Sequence, residues 1–145
     1  MTNLTVNNCE LCNADGGVLL WRDPVCRVVA VTDEDYPGFC RVILNRHAAE
    51  MTQIEPHERE RLMQAVFATE AALRETMHPT KINLASLGNM VAHLHWHVIP
   101  RFADDRHFPA AIWAEPRRPR SARTSAARRA PTPEILIAHI ESRLG

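Results

Sequence analysis

At 145 residues, 46% hydrophobic and 23% charged, the chain is long enough for one packed domain, or one domain and a tail, with ordinary globular composition. Lys plus Arg and Asp plus Glu each total 17, so no global field draws the protein toward nucleic acid or an anionic membrane. No apolar run approaches the ~20 residues that span a bilayer, and Met1 to Asn8 is too polar for a signal peptide; a cytoplasmic location without a membrane partner is expected.

Cys9-Glu10-Leu11-Cys12 comes first along the chain. Four cysteines in all (with Cys26 and Cys40) are too few for a secreted disulfide scaffold, so this pair reads as half a metal site or as a redox pair. Asp15-Gly16-Gly17 signals a turn, and Val18 to Trp21 is a short strand candidate. Val25 to Val31 and Phe39 to Asn45 are rich in β-branched residues and read as strands. The short Asp33 to Gly38 turn between them predicts an antiparallel pair.

Pro56 to Met77 is the clearest helix. Pro56 suits its first turn, acidic residues favour its positive end, and Leu62, Val66, Leu73 and Met77 form an apolar stripe. Pro79 stops it. Lys81 to Leu87 and Val91 to Phe102 then read as two strands joined by a tight Gly88-Asn89 turn. From Ala114 onward Arg117, Arg118, Arg120, Arg123, Arg128 and Arg129 lie among Pro, Ser and Ala, which reads as a solvated linker rather than a nucleic-acid contact. Pro133 to Leu144 predicts a terminal helix capped by Thr132. The expected organisation is a domain over 1–113, a linker over 114–132 and a short helix within 133–145. The fold class is α+β: about five antiparallel strands, one long helix and one short C-terminal helix.

The segment that carries chemistry is Val91-Ala92-His93-Leu94-His95-Trp96-His97-Val98. Side chains alternate along a strand, so His93, His95 and His97 are expected on one face and Leu94, Trp96 and Val98 on an apolar one. Packing explains three adjacent imidazoles poorly, since each buried ring needs a partner. Two chemical readings remain open. The histidines can ligate a metal, with Asp104, Asp105 and His107 as further donors. Alternatively, a neutral imidazole can attack phosphorus while its neighbour fixes a tautomer or moves a proton.

His93-Leu94-His95-Trp96-His97-Val98-Ile99 resembles the motif His-φ-His-φ-His-φ-φ of the histidine triad (HIT) family, where φ is hydrophobic. Pro100-Arg101, the Phe39 to His47 strand and the Gly88 to Val91 turn extend the resemblance, which covers roughly Cys9 to Arg106. It implies a HIT-like fold and a hydrolase or transferase acting on the α-phosphate of a nucleotide, of the dinucleoside polyphosphate or nucleoside phosphoramidate type. His95 inherits the nucleophile's role, His97 the phosphate and leaving-group contact, and His93 an orienting or zinc-binding role. Cys9, Cys12, His47 and His93 match the ligands of the family's zinc-bearing branch; two thiolates and two imidazoles suit a closed structural site. A structural zinc, no organic cofactor and a homodimer follow from the same resemblance.

Asn83 matches a phosphate-side asparagine, Asn89 stands where the family turn carries Gln, and Asp33 is the nearest counterpart of a ribose-binding Asp. The chain departs from the pattern at Phe39, where many members have His, and at Met90, where a Ser or Thr hydroxyl usually meets phosphate. Those departures motivate a rival reading as a catalytically weak nucleotide-binding or scaffold protein.

Overall fold

The computed structural model describes residues 6–120 and 128–145. In chain order it contains α1 (Glu10–Asn13), β1 (Val18–Arg22), β2 (Cys26–Ala30), β3 (Cys40–Leu44), a short 3-10 turn (Met51–Gln53), α2 (Pro56–Met77), β4 (Lys81–Ala85), β5 (His95–Arg101) and α3 (Pro133–Leu144). The strands form one sheet in the order β1-β2-β3-β5-β4, and every neighbouring pair is antiparallel. The expected α+β class, five-stranded sheet, long helix and short C-terminal helix are all present.

Alternation along the strands divides the sheet into two faces. Cys26 and Val28, Cys40, Val42 and Leu44, and Trp96 and Val98 meet Leu62, Ala65, Val66, Ala72 and Leu73 of α2 and Leu136 and Ile140 of α3. The intervening positions face the other way. There Val29 and Ile43 pack with Cys9 and Leu11, and Ile99 packs with Tyr36 and Phe39. One face is thus the main core; the other carries the N-terminal segment and the histidines. Cys26 and Cys40 belong to the core, and burial pushes both thiols up to about 12, which removes them from chemistry at neutral pH.

Both α2 and α3 carry the start signals read from the sequence. Pro56 opens α2, and Glu58 Oε1 accepts the Glu55 N–H at 2.9 Å. Glu58 also takes two bonds from Arg46, each 2.9 Å, which pins the helix start to the end of β3. In α3 the Thr132 hydroxyl accepts the Ile135 N–H. Gly38, at φ +85°, lies where a Cβ would sit 2.4 Å from Met77 Sδ, so the β2–β3 connection needs glycine there on both counts.

The histidine segment differs from expectation in one respect. Residues 86–94 form an irregular connection, and β5 begins only at His95. The Leu94 N–H bonds to Ala48 O at 2.8 Å while Leu94 O accepts from Leu44 N–H at 3.1 Å, so residues 93–94 are drawn toward the loop after β3 rather than paired with β4. No tight Gly88-Asn89 hairpin forms.

The C-terminal helix packs on the same core as the sheet. Trp21 Nε1 donates to Gly145 O at 3.3 Å and Arg61 Nη2 to Leu144 O at 3.2 Å. Residues 121–127 of the Arg-rich segment lie outside the described residues. Several of its described arginines are tied to the domain: Arg118 donates to Asp105 O and Phe108 O, Arg120 pairs with Asp35, and Arg128 pairs with Asp104 while stacking 3.7 Å from the Phe102 ring. No helix among the described residues is long and apolar enough to cross a membrane.

Candidate active site and metal centre

β5 places His95 and His97 two residues apart on the face away from α2, with ring centroids 5.0 Å apart. Across the ladder, Ile43 stands opposite His95 and Arg41 opposite His97. The two imidazoles line a cavity of about 410 Å³, of the size that takes small organic ligands. Arg41 forms part of its wall, Leu87 to Val91 one rim, and Glu10 and Leu11 another. Trp113 closes a further side, its ring 4.9 Å from that of His97.

His95 has a defined tautomer. Its Nδ1 lies 2.5 Å from the His93 carbonyl, an acceptor only, so the proton resides on Nδ1 and the Nε2 lone pair is free. Burial lowers the pKa of this imidazole; the Arg41 charge adds to that, and the hydrogen bond to His93 opposes it. His97 is held at about 4, by burial first and then by His95 and Arg41. Its Nδ1 is buried without a partner among the described residues. At neutral pH both rings are uncharged.

His93 precedes β5 and turns away from the cavity. It is fully buried, and its Nε2 donates to Leu44 O at 2.6 Å, leaving the Nδ1 lone pair facing two sulfurs. Nδ1 lies 3.4 Å from Cys9 Sγ and 3.5 Å from Cys12 Sγ, and Cys12 Sγ lies 3.5 Å from His47 Nδ1. All four ligating atoms fall within 4.8 Å of one another. A tetrahedral zinc with sulfur and nitrogen ligands has ligand-to-ligand edges of about 3.5 Å. The donor set, the spacing and the backbone bond that fixes the His93 tautomer all fit a metal ion. Among the described residues this is the one group of three or more such side chains gathered closely enough for a metal.

The remaining expected site residues are distributed unevenly. Asn89 lines the cavity beside Gly88 and Met90. Asn83 is paired with Ile99, further along the sheet from His97, and its Oδ1 accepts from Arg101 Nη1 at 2.7 Å. Asp33 caps its own turn by accepting the Asp35 N–H at 2.9 Å and does not line the cavity. Asp105 is committed to Arg101 and to three backbone N–H groups, and His107 meets Tyr36, so neither joins the histidines as a ligand. Arg41 and Glu10 are cavity residues that pattern reading passed over. The available signal was a lone arginine inside the apolar run Phe39 to Leu44. A second cavity, of about 300 Å³ between Tyr36 and Arg118, carries none of the histidines, and several of its arginines are spent on Asp35 and Asp104.

A five-stranded antiparallel sheet that sets paired histidines over a cavity, with a thiol–imidazole cluster behind them, defines a histidine-triad architecture. The HIT domain family matches residues 16–104, more than half of the chain, and the chain belongs to that family of nucleotide-binding hydrolases and transferases. Solved histidine triad proteins share the fold. One from Bradyrhizobium japonicum is 22% identical, with a TM-score of 0.70 over 99% of this chain and 100% of the other. One from Marinobacter aquaeolei VT8 is 23% identical, with a TM-score of 0.73 over 96% and 98%. A hypothetical histidine triad nucleotide-binding protein from Sulfolobus tokodaii is 18% identical, with a TM-score of 0.57 over 87% and 85%. No curated protein sequence matches the chain.

Proposed function

We propose that this protein cleaves nucleotides at the α-phosphorus through a covalent nucleotidyl-histidine on His95, with a nucleoside phosphoramidate or dinucleoside polyphosphate as substrate. The observation that carries this reading is the Nδ1–H bond from His95 to the His93 carbonyl, which leaves Nε2 unprotonated at the cavity wall beside His97. Nε2 attacks phosphorus, the bond to the leaving group breaks, and the leaving group departs with that electron pair, an amine taking up a proton from solvent water. Water then attacks the phosphorus, the P–N bond breaks, and the nucleoside monophosphate leaves. His97 contacts the phosphoryl group and the leaving atom as a neutral imidazole. In this reading the backbone N–H groups of Gly88, Asn89 and Met90, residues that line the cavity, donate to phosphoryl oxygens. Two displacements predict net retention at phosphorus.

Zinc held by Cys9, Cys12, His47 and His93 would supply no step. It would fasten the N-terminal segment to the sheet and hold the His93 backbone whose carbonyl orients His95. Asn83 and Asp33, which are not among the lining residues, take no direct part in this reading; Asn83 bonds to Arg101. Assembly as a homodimer is carried with the proposal.

The test is AMP release from adenosine phosphoramidate and from diadenosine tetraphosphate by wild type and His95→Ala. The variant should lose at least ~10³-fold in kcat, the scale of removing a covalent nucleophile. Equal rates in the two proteins would remove His95 from the mechanism. One observation favours a second reading, that of a nucleotide-binding protein with little turnover: Met90 is 97% exposed at the turn and offers no hydroxyl to phosphate. That reading predicts AMP binding by wild type without turnover of either substrate.

A further inference from the structure

Arg41 sits in the middle of β3, between Cys40 and Val42, both buried in the main core. Its register partner is His97, so its side chain emerges on the histidine face, beside the pair and in the cavity wall. The guanidinium is poorly used by the protein itself. Nη1 makes one long bond, 3.3 Å to Gly16 O. Nε is buried with no partner among the described residues. The charge lies 5.9 Å from the Phe39 ring centroid, and Arg41 makes no ion pair among the described residues. Glu10 lines the same cavity without pairing to it. A guanidinium has five N–H donors. Holding it half-buried without a counter-ion is costly unless an anion arrives to use those donors.

We propose that Arg41 is the phosphate-binding cation of this site: with substrate bound, its guanidinium donates to the anionic oxygens of the α-phosphoryl group attacked by His95. This rests on the nucleotide reading above. It also supplies a charged side-chain donor where the Met90 side chain offers none. Among the described residues lining the cavity Arg41 is the only arginine or lysine, so the fixed positive charge matches one phosphoryl group. The planar fork suits two oxygens of one phosphate.

The experiment is calorimetric titration of the full chain, purified without chelators, with AMP and with adenosine, for wild type, Arg41→Gln and Arg41→Lys. Arg41→Gln should lower AMP affinity tenfold or more and leave adenosine affinity unchanged. Arg41→Lys, which keeps the charge but not the fork, should fall between wild type and Arg41→Gln. Unchanged AMP affinity in Arg41→Gln overturns the assignment while leaving the nucleotide reading intact. A parallel loss of AMP and adenosine affinity overturns it too, since that is the behaviour of a residue that only supports the fold. Wild type that binds neither compound removes the nucleotide reading, and the role of Arg41 with it.

Discussion

Replacing Asp105 by Ala should cost ~3–5 kcal/mol, because it strands a buried cation at the end of the histidine strand. Arg101, the last residue of β5, is 2% exposed and Asp105 is 6% exposed. Arg101 Nε donates to Asp105 Oδ2 at 2.8 Å and Nη2 donates to Oδ1 at 3.0 Å, a bidentate pair. The same carboxylate takes the N–H groups of Phe102, His107 and Phe108 at 3.0, 3.1 and 2.8 Å. Burial alone would raise its pKa; the Arg101 bonds and these backbone donors outweigh that and hold it below the usual carboxylate range. Alanine removes every one of those acceptors and leaves the guanidinium with only Asn83 Oδ1 and Ala110 O. Against a typical total of ~5–15 kcal/mol, the loss is a large fraction of the whole. The assay is urea unfolding at neutral pH followed by circular dichroism, with Arg101→Met and the double variant completing a cycle. Thermal midpoints should fall by roughly 10–15 °C in Asp105→Ala. The double variant should lose less than the sum of the single ones, since neither charge is then left unpaired. A loss under 1 kcal/mol in Asp105→Ala, or strict additivity in the cycle, would refute the claim that this pair is coupled and buried.

Two further outcomes test the metal centre and the histidine face. Protein purified without chelators should carry one zinc per chain by elemental analysis, and Cys12→Ser should lose it while keeping its helical signal, because the core of Val28, Val42, Leu62, Leu73 and Val98 uses none of the ligands. Metal-free wild type, or an unchanged zinc content in the variant, would contradict the assignment. His97 binds its proton at about 4 when folded against 6.5 when exposed, so between those values the unfolded chain holds more protons and acidification destabilises the fold. The contribution is complete above pH 6.5 and falls by up to ~3 kcal/mol by pH 4. Denaturant midpoints measured across that window should fall more steeply for wild type than for His97→Asn, and parallel curves would contradict the burial of this ring.

Elements that rest on local physics are readable from residue order alone. Pro56 with Glu58, and Thr132 with Pro133, set the helix starts, since capping and the proline dihedral act within one turn. β-branched runs separated by short polar turns set β2 and β3, and the alternation of His95, Trp96, His97 and Val98 divided chemistry from core, because side chains on a strand must alternate. Cys9 and Cys12 were legible from their spacing as half a metal site or a redox pair, whereas their grouping with His47 and His93 was legible only through resemblance to a family; nothing local links Cys9 to His93. Tertiary structure decided the rest. It delayed the start of β5 to His95, because bonds from Leu94 to Ala48 and Leu44 outcompeted a hairpin with β4. It set Asn83 against Arg101 and kept Asp33 in its own turn, since neither register nor loop course is encoded in residue type. It also brought Arg41 beside His97. A one-residue shift of β3 against β5 would move that guanidinium to the other face, so the site depends on a strand register that only the packed core selects.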